Sequence, residues 1–153
     1  MNNNITEDDC SFEVSTLLKE KGFQVSTSRY YKPDGTFVVN FEESHGESEY
    51  RFDADDFFDN WNDGRVVDNK NGSCWGCGNR GSYFPPVSLP THALAIKWLR
   101  VNFGIHISVD FDSKNWFAVI TILPNKDRHI YGSSDSPEQA TEAALLYTLK
   151  NLI

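Results

Sequence analysis

A chain of 153 residues has room for one domain, or two very small ones, and can bury roughly two thirds of its unfolded surface. Its 39% hydrophobic and 14% aromatic content is too high for a disordered chain. The 22 acidic and 14 basic residues leave a net charge of −8, without the basic stripe that grips a nucleic-acid backbone.

That charge is uneven. Up to Pro90 the chain carries 16 acidic and 8 basic residues, and from Thr91 on it carries 6 of each, so the excess lies wholly in the first part. Its ordinary role is solubility; a sharper one is a surface that imitates a nucleic-acid backbone to inhibit a defence protein. The first residues lack the basic start and apolar run of a secretory or transit signal. No segment approaches the roughly 18 apolar residues that span a bilayer. Three cysteines, an odd number, make a poor disulfide framework, and the expectation is a cytoplasmic protein in a reducing compartment.

Along the chain, Ser11 is an N-cap and Gly22 a C-terminal stop for a first helix whose apolar face includes Phe12, Leu17 and Leu18. Lys32-Pro33-Asp34-Gly35 is a tight turn, so a hairpin is expected from the segment after Phe23 and the return strand Thr36–Phe41, with a further short strand over 49–52. Asp53 caps a short helix running to Trp61 with acids in its first turn. From about Asp63 to Pro86 periodicity vanishes, and a loop of that length is a binding element or an excursion.

Order returns at Ser88-Leu89-Pro90-Thr91, which opens a helix carrying Leu94, Trp98 and Val101 at helical spacing and closed by Gly104. The alternation of Ile105, Ile107, Val109 and Phe111 against His106, Ser108, Asp110 and Asp112 predicts a strand with one buried and one wet face. A turn over Asp112–Asn115 leads into Trp116–Leu123, apolar on both faces and so a central strand, with an edge strand near Arg128–Tyr131. Ser136-Pro137-Glu138-Gln139 opens a last helix whose Ala140, Ala143, Ala144 and Tyr147 can pack closely on the sheet.

The fold class expected is α+β, with antiparallel sheets packed against helices, and possibly two related helix, hairpin, helix units. The boundaries expected are an acidic N-terminal half over 1–62, a Gly/Asn-rich loop over 63–87, and a C-terminal half over 88–153, the two halves able to share one compact domain.

Cys74-Trp75-Gly76-Cys77-Gly78 is the sharpest chemical motif, because two thiolates so spaced can wrap one tetrahedral zinc ion. No second pair exists, and the further donors available are Cys10, His92 and His45. Zinc held by Cys74, Cys77, Cys10 and His92 is one reading; cysteines without any cofactor are the other. A redox role is disfavoured because no helix begins at Cys74. The acidic run from Asp53 to Asp63 fails the calcium-loop pattern and reads as a solvated face. His106 and Asp110 share the wet strand face and form a conceivable general-base pair, or merely an exposed surface. No phosphate loop, nucleophile elbow or metalloprotease motif is present, so no enzyme activity is expected.

The helix, three strands and helix of 88–153 resemble the double-stranded-RNA-binding domain, and Ser136–Ala144 is similar to the start of that domain's last helix. The resemblance implies the fold. That family places lysines where Glu138 and Glu142 stand here, which argues against RNA binding. The strand-to-helix ending also looks like HicB-type antitoxins. Pro90–Arg100, Gly104–Ile107 and the terminal helix resemble small uncharacterised proteins of phages and mobile elements in gut bacteria, to which the Cys74–Cys77 loop looks like an addition. The expected role is a non-catalytic accessory protein that contacts another protein, with Trp75, Tyr83 and Phe84 as its anchors or, equally, as part of its core. A zinc-stabilised binding module and an acidic anti-defence inhibitor are the alternatives.

Overall fold

A computed structural model describes residues 7–25, 27, 29–39, 50–52, 66–68, 82–84, 87–125 and 127–153. The elements in chain order are α1 (Phe12–Glu20), β1 (Arg29–Tyr31), β2 (Phe37–Val39), β3 (Tyr50–Phe52), β4 (Val66–Asp68), β5 (Ser82–Phe84), β6 (Val87–Ser88), α2 (His92–Phe103), β7 (Ile105–Phe111), β8 (Trp116–Ile122), β9 (Asp127–Ser134) and α3 (Pro137–Asn151). The class is α+β with antiparallel sheets. Among the described residues no helix is long and apolar enough to cross a membrane.

Two compact units divide the chain, one of Met1–Gly22 with Pro90–Ile153, the other of Phe23–Leu89. This departs from the expected boundaries, because α1 belongs with the last 64 residues instead of heading an N-terminal half. The reason is tertiary: Val14 and Leu18 are fully buried, and α1 packs on α3.

In the first of these units β7, β8 and β9 form a meander in that order. The register pairs Ile105 with Ile122, Ile107 with Ile120 and Val109 with Ala118, which puts these side chains on one face. Ile105, Ile107, Ala118 and Ile120 are buried there, and α2 and α3 cover the sheet. Alanines at 140 and 144, both fully buried, let α3 lie close to the strands, and Tyr147 stacks on Tyr131 of β9 at 4.7 Å. Burying side chains such as Leu145, Leu149 and Ile120 stabilises this unit by about 1.5–3 kcal/mol each.

The helices begin and end for local reasons. Ser11, Thr91 and Ser136 each cap a helix by accepting from the N–H three residues on. Within the expected entry Ser88-Leu89-Pro90-Thr91, Thr91 is the cap of α2 and Ser88 belongs to β6. Gly104 closes α2 at φ 67°, and its N–H donates to the Arg100 carbonyl at 3.2 Å.

In the other unit, β1 pairs with β2 around the Lys32–Gly35 turn and with β6 on its other edge, around the buried Tyr30. A second small sheet has the order β3, β4, β5. The segment expected to be a loop therefore contains the strands Val66–Asp68 and Ser82–Phe84. Tyr83 and Phe84 pair with Val67 and Val66 on β4, so they stand on a strand where a loop was expected. The expected helix over 53–61 lies outside the described residues.

Candidate metal centre

The end of the segment preceding α1 runs antiparallel to the end of the segment preceding α2. Asp9 and Thr91 form a bridge, the Cys10 N–H donates to the Pro90 carbonyl at 3.0 Å, and the His92 N–H donates to the Asp8 carbonyl at 2.9 Å. Since Ser11 caps α1 and Thr91 caps α2, Cys10 is the residue before one cap and His92 the first residue of the other helix. Glu142 comes from the second turn of α3.

These three side chains converge. One donor atom each from Cys10, His92 and Glu142 lies within 4.8 Å of the other two. Nε2 of His92 meets Oε2 of Glu142 at 2.8 Å, and the other carboxylate oxygen, Oε1, accepts the Ser11 N–H at 3.0 Å. The Cys10 thiol is at the back, 1% exposed, while the side chains of His92 and Glu142 are 14% and 26% exposed.

Burial drives the Cys10 thiol well above its ordinary pKa, and the negative charges of Glu142 and Asp9 push it the same way. For Glu142 burial also acts upward, but the hydrogen bonds from His92 and Ser11 outweigh it and hold the carboxyl below its usual range. A nucleophilic cysteine needs the opposite surroundings, an accessible thiolate favoured by positive charge. A divalent ion would turn the electrostatic penalty on a thiolate beside a carboxylate into attraction.

The donor set of sulfur, imidazole nitrogen and carboxylate oxygen suits zinc, and is too soft for magnesium or calcium. Tetrahedral zinc with nitrogen and oxygen ligands at about 2.0–2.1 Å places those two atoms about 3.3 Å apart. The 2.8 Å contact between His92 and Glu142 would thus open by about half an ångström, within reach of a small side-chain rotation.

Of the four ligands expected from sequence, the structure brings Cys10 and His92 together; Cys74 and Cys77 lie outside the described residues, as does Trp75. Glu142, which was not among the expected ligands, joins them. Its signal in the sequence was an acid on a small-residue helix face, which stood out only as a departure from an RNA-binding pattern. His106 is half-buried on β7, and the Asp110 carboxylate accepts the Phe111 N–H at 2.8 Å, so that carboxylate is engaged locally. Compared with known protein families, curated proteins and solved structures, the chain matches none.

Proposed function

We propose that this chain is a small zinc-stabilised module that acts by contacting another protein, in the cytoplasmic setting of a phage or mobile element. The observation that carries the zinc is the convergence of Cys10, His92 and Glu142 within 4.8 Å, from three segments far apart in sequence. An ion there ties the residues before α1 to the starts of α2 and the body of α3, the task of a structural metal in a small domain whose core alone gives limited stability. Glu138 and Glu142, where the resembling RNA-binding domains carry lysines, and the neutral balance from Thr91 onward, support a protein partner over a nucleic acid.

The full-length protein, purified without chelator, is expected to carry about one zinc per chain by elemental analysis. Cys10→Ser and Glu142→Gln should each lower that content while the far-ultraviolet spectrum stays native. Absence of stoichiometric zinc in the native chain, or zinc unchanged in both variants, would sink the proposal. Double-stranded RNA is expected to show no retardation even at low salt, where any phosphate contacts would be strongest.

A further inference from the structure

Ser11 joins the candidate metal centre to α1. It follows Cys10 directly, and its hydroxyl caps α1 by accepting the Val14 N–H at 3.2 Å. Its own main-chain N–H points elsewhere, donating at 3.0 Å to Oε1 of Glu142, 131 residues on. A capping box would hold that N–H with a Glu or Gln at the third helical position; in α1 this position is Val14, whose side chain cannot accept. The acid that answers the N–H comes from α3 instead.

That bond gives the two oxygens of one carboxylate different tasks. Oε1 is held by Ser11, while Oε2 lies 2.8 Å from Nε2 of His92, within the group whose donors converge. Because the N–H belongs to the peptide that links Cys10 to Ser11, the same bond fixes Glu142 to the backbone that carries the thiol. Two of the three donors are thereby set relative to one another before an ion arrives.

A carboxylate that ligates a metal is ordinarily oriented by a further hydrogen bond, and losing such support weakens metal binding by about 10–100-fold. We infer that Ser11 is a positioning residue of the Cys10, His92 and Glu142 centre, its main-chain N–H holding Oε1 of Glu142 so that Oε2 is the oxygen presented to the ion. This rests on the zinc proposal and adds a coupling to it. An ion at the centre and an ordered start of α1 support each other, and the support is reciprocal.

Backbone geometry makes the N–H separable from the cap. Ser11 has φ −63° and ψ 165°, a conformation that proline adopts, so Ser11→Pro deletes the N–H without forcing the chain. It also deletes the capping hydroxyl, which Ser11→Ala deletes alone. Zinc affinity of the full chain, measured by competition with a chromophoric chelator, should fall about 10–100-fold further in Ser11→Pro than in Ser11→Ala. Ser11→Thr, which keeps both groups, should restore native affinity.

Cobalt(II) in place of zinc gives a signature that a weakened helix would not. With Oε1 released, Glu142 is free to chelate through both oxygens, so the visible bands of Ser11→Pro should weaken and shift while the near-ultraviolet sulfur band persists. Those of Ser11→Ala should stay native. If Ser11→Pro does not fold, amide exchange in the native chain decides instead: zinc should slow exchange of the Ser11 N–H far more than that of the Asn115 N–H in the β7–β8 turn. A native chain that binds neither zinc nor cobalt overturns the zinc proposal and this one together. Equal weakening in Ser11→Pro and Ser11→Ala, a cobalt spectrum unchanged in Ser11→Pro, or a Ser11 N–H whose exchange zinc leaves alone overturns the role of Ser11 and leaves the centre standing.

Discussion

His92 and Glu142 stand 50 residues apart in sequence, and their side chains meet at 2.8 Å, each largely shielded from water. The contact joins the first residue of α2 to α3, while the second oxygen of the same carboxylate holds the start of α1 through Ser11. One side chain thus ties three helices. Glu142→Gln keeps the shape and an acceptor for Ser11 but removes the charge, and should destabilise the metal-free protein by about 1–2 kcal/mol. With zinc at a hundred times its dissociation constant the native chain gains about 2.7 kcal/mol by linkage, and the variant should gain much less. Urea denaturation in chelator and in zinc measures both; an equal zinc increment in the two proteins would remove Glu142 from the ligand set.

Gly104 ends α2 in the left-handed region at φ 67°, and a Cβ built there would lie 3.3 Å from the Leu123 carbonyl oxygen. That carbonyl belongs to a backbone whose own N–H donates to the Gly104 carbonyl at 2.9 Å, so it has little room to withdraw. Gly104→Ala should therefore lower stability by about 1–2 kcal/mol or somewhat more, combining conformational strain with a tight contact. Gly22, at φ 88° with open space around it, supplies the comparison, since its alanine variant meets strain alone. Thermal or denaturant melts should rank Gly104→Ala as the more damaging, and the reverse order would refute the contact argument.

The parts of this fold that were legible in the sequence are those set by neighbours in the chain. Ser11, Ser136 and Gly104 mark helix ends because caps act over three or four residues, and the alternation that starts at Ile105 and Ile107 marks β7 because those two side chains are buried, although Phe111, expected on the same buried face, is exposed. Strands β4 and β5 were not legible: three residues such as Val66-Val67-Asp68 are too few to show a period. The place of α1 was hidden for another reason. Its burial comes from α3, more than a hundred residues later, and no local pattern records a partner at that distance. The site divides the same way. Cys10 and His92 were visible as residue types with metal affinity, while Glu142 was selected only by the packing of α3 against the two helix starts.

The turn between β7 and β8 gives a pH signature. Asp112 accepts hydrogen bonds from the Asn115 N–H at 2.9 Å and the Lys114 N–H at 3.1 Å, and these hold its carboxyl below the ordinary range. A depressed folded pKa means that its contribution is fully present above the unfolded value of about 3.9, and fades as pH falls through the folded value. The stability difference between the native chain and Asp112→Ala should accordingly be largest near neutrality and shrink as the solution is acidified below about pH 4. Denaturant melts between neutral and acidic pH test this, with Asp112→Asn as a control that cannot ionise. A difference constant over the whole range would show that the ionised carboxylate is not what holds the turn.

Helix α1 is joined to α3 by an ion pair and by burial, and their unequal weight is open to measurement. Lys150 Nζ and Glu13 Oε1 meet at 2.6 Å, but both side chains are about half exposed. Solvent screens such a pair and the two side chains lose freedom on making it, so Lys150→Ala should change stability by no more than about 1 kcal/mol. Leu18 is fully buried on the face that α1 turns to the rest of its unit. Truncating it removes transfer free energy and leaves a cavity, so Leu18→Ala should cost about 2–5 kcal/mol. Because α1 follows directly on Cys10, loosening it should also weaken zinc retention, whereas Lys150→Ala should leave the metal content unchanged. Denaturant unfolding and metal analysis of the two variants decide the matter. If Lys150→Ala proved as damaging as Leu18→Ala, α1 would be held chiefly by charge, and burial of Val14 and Leu18 would not be what assigns it to α3.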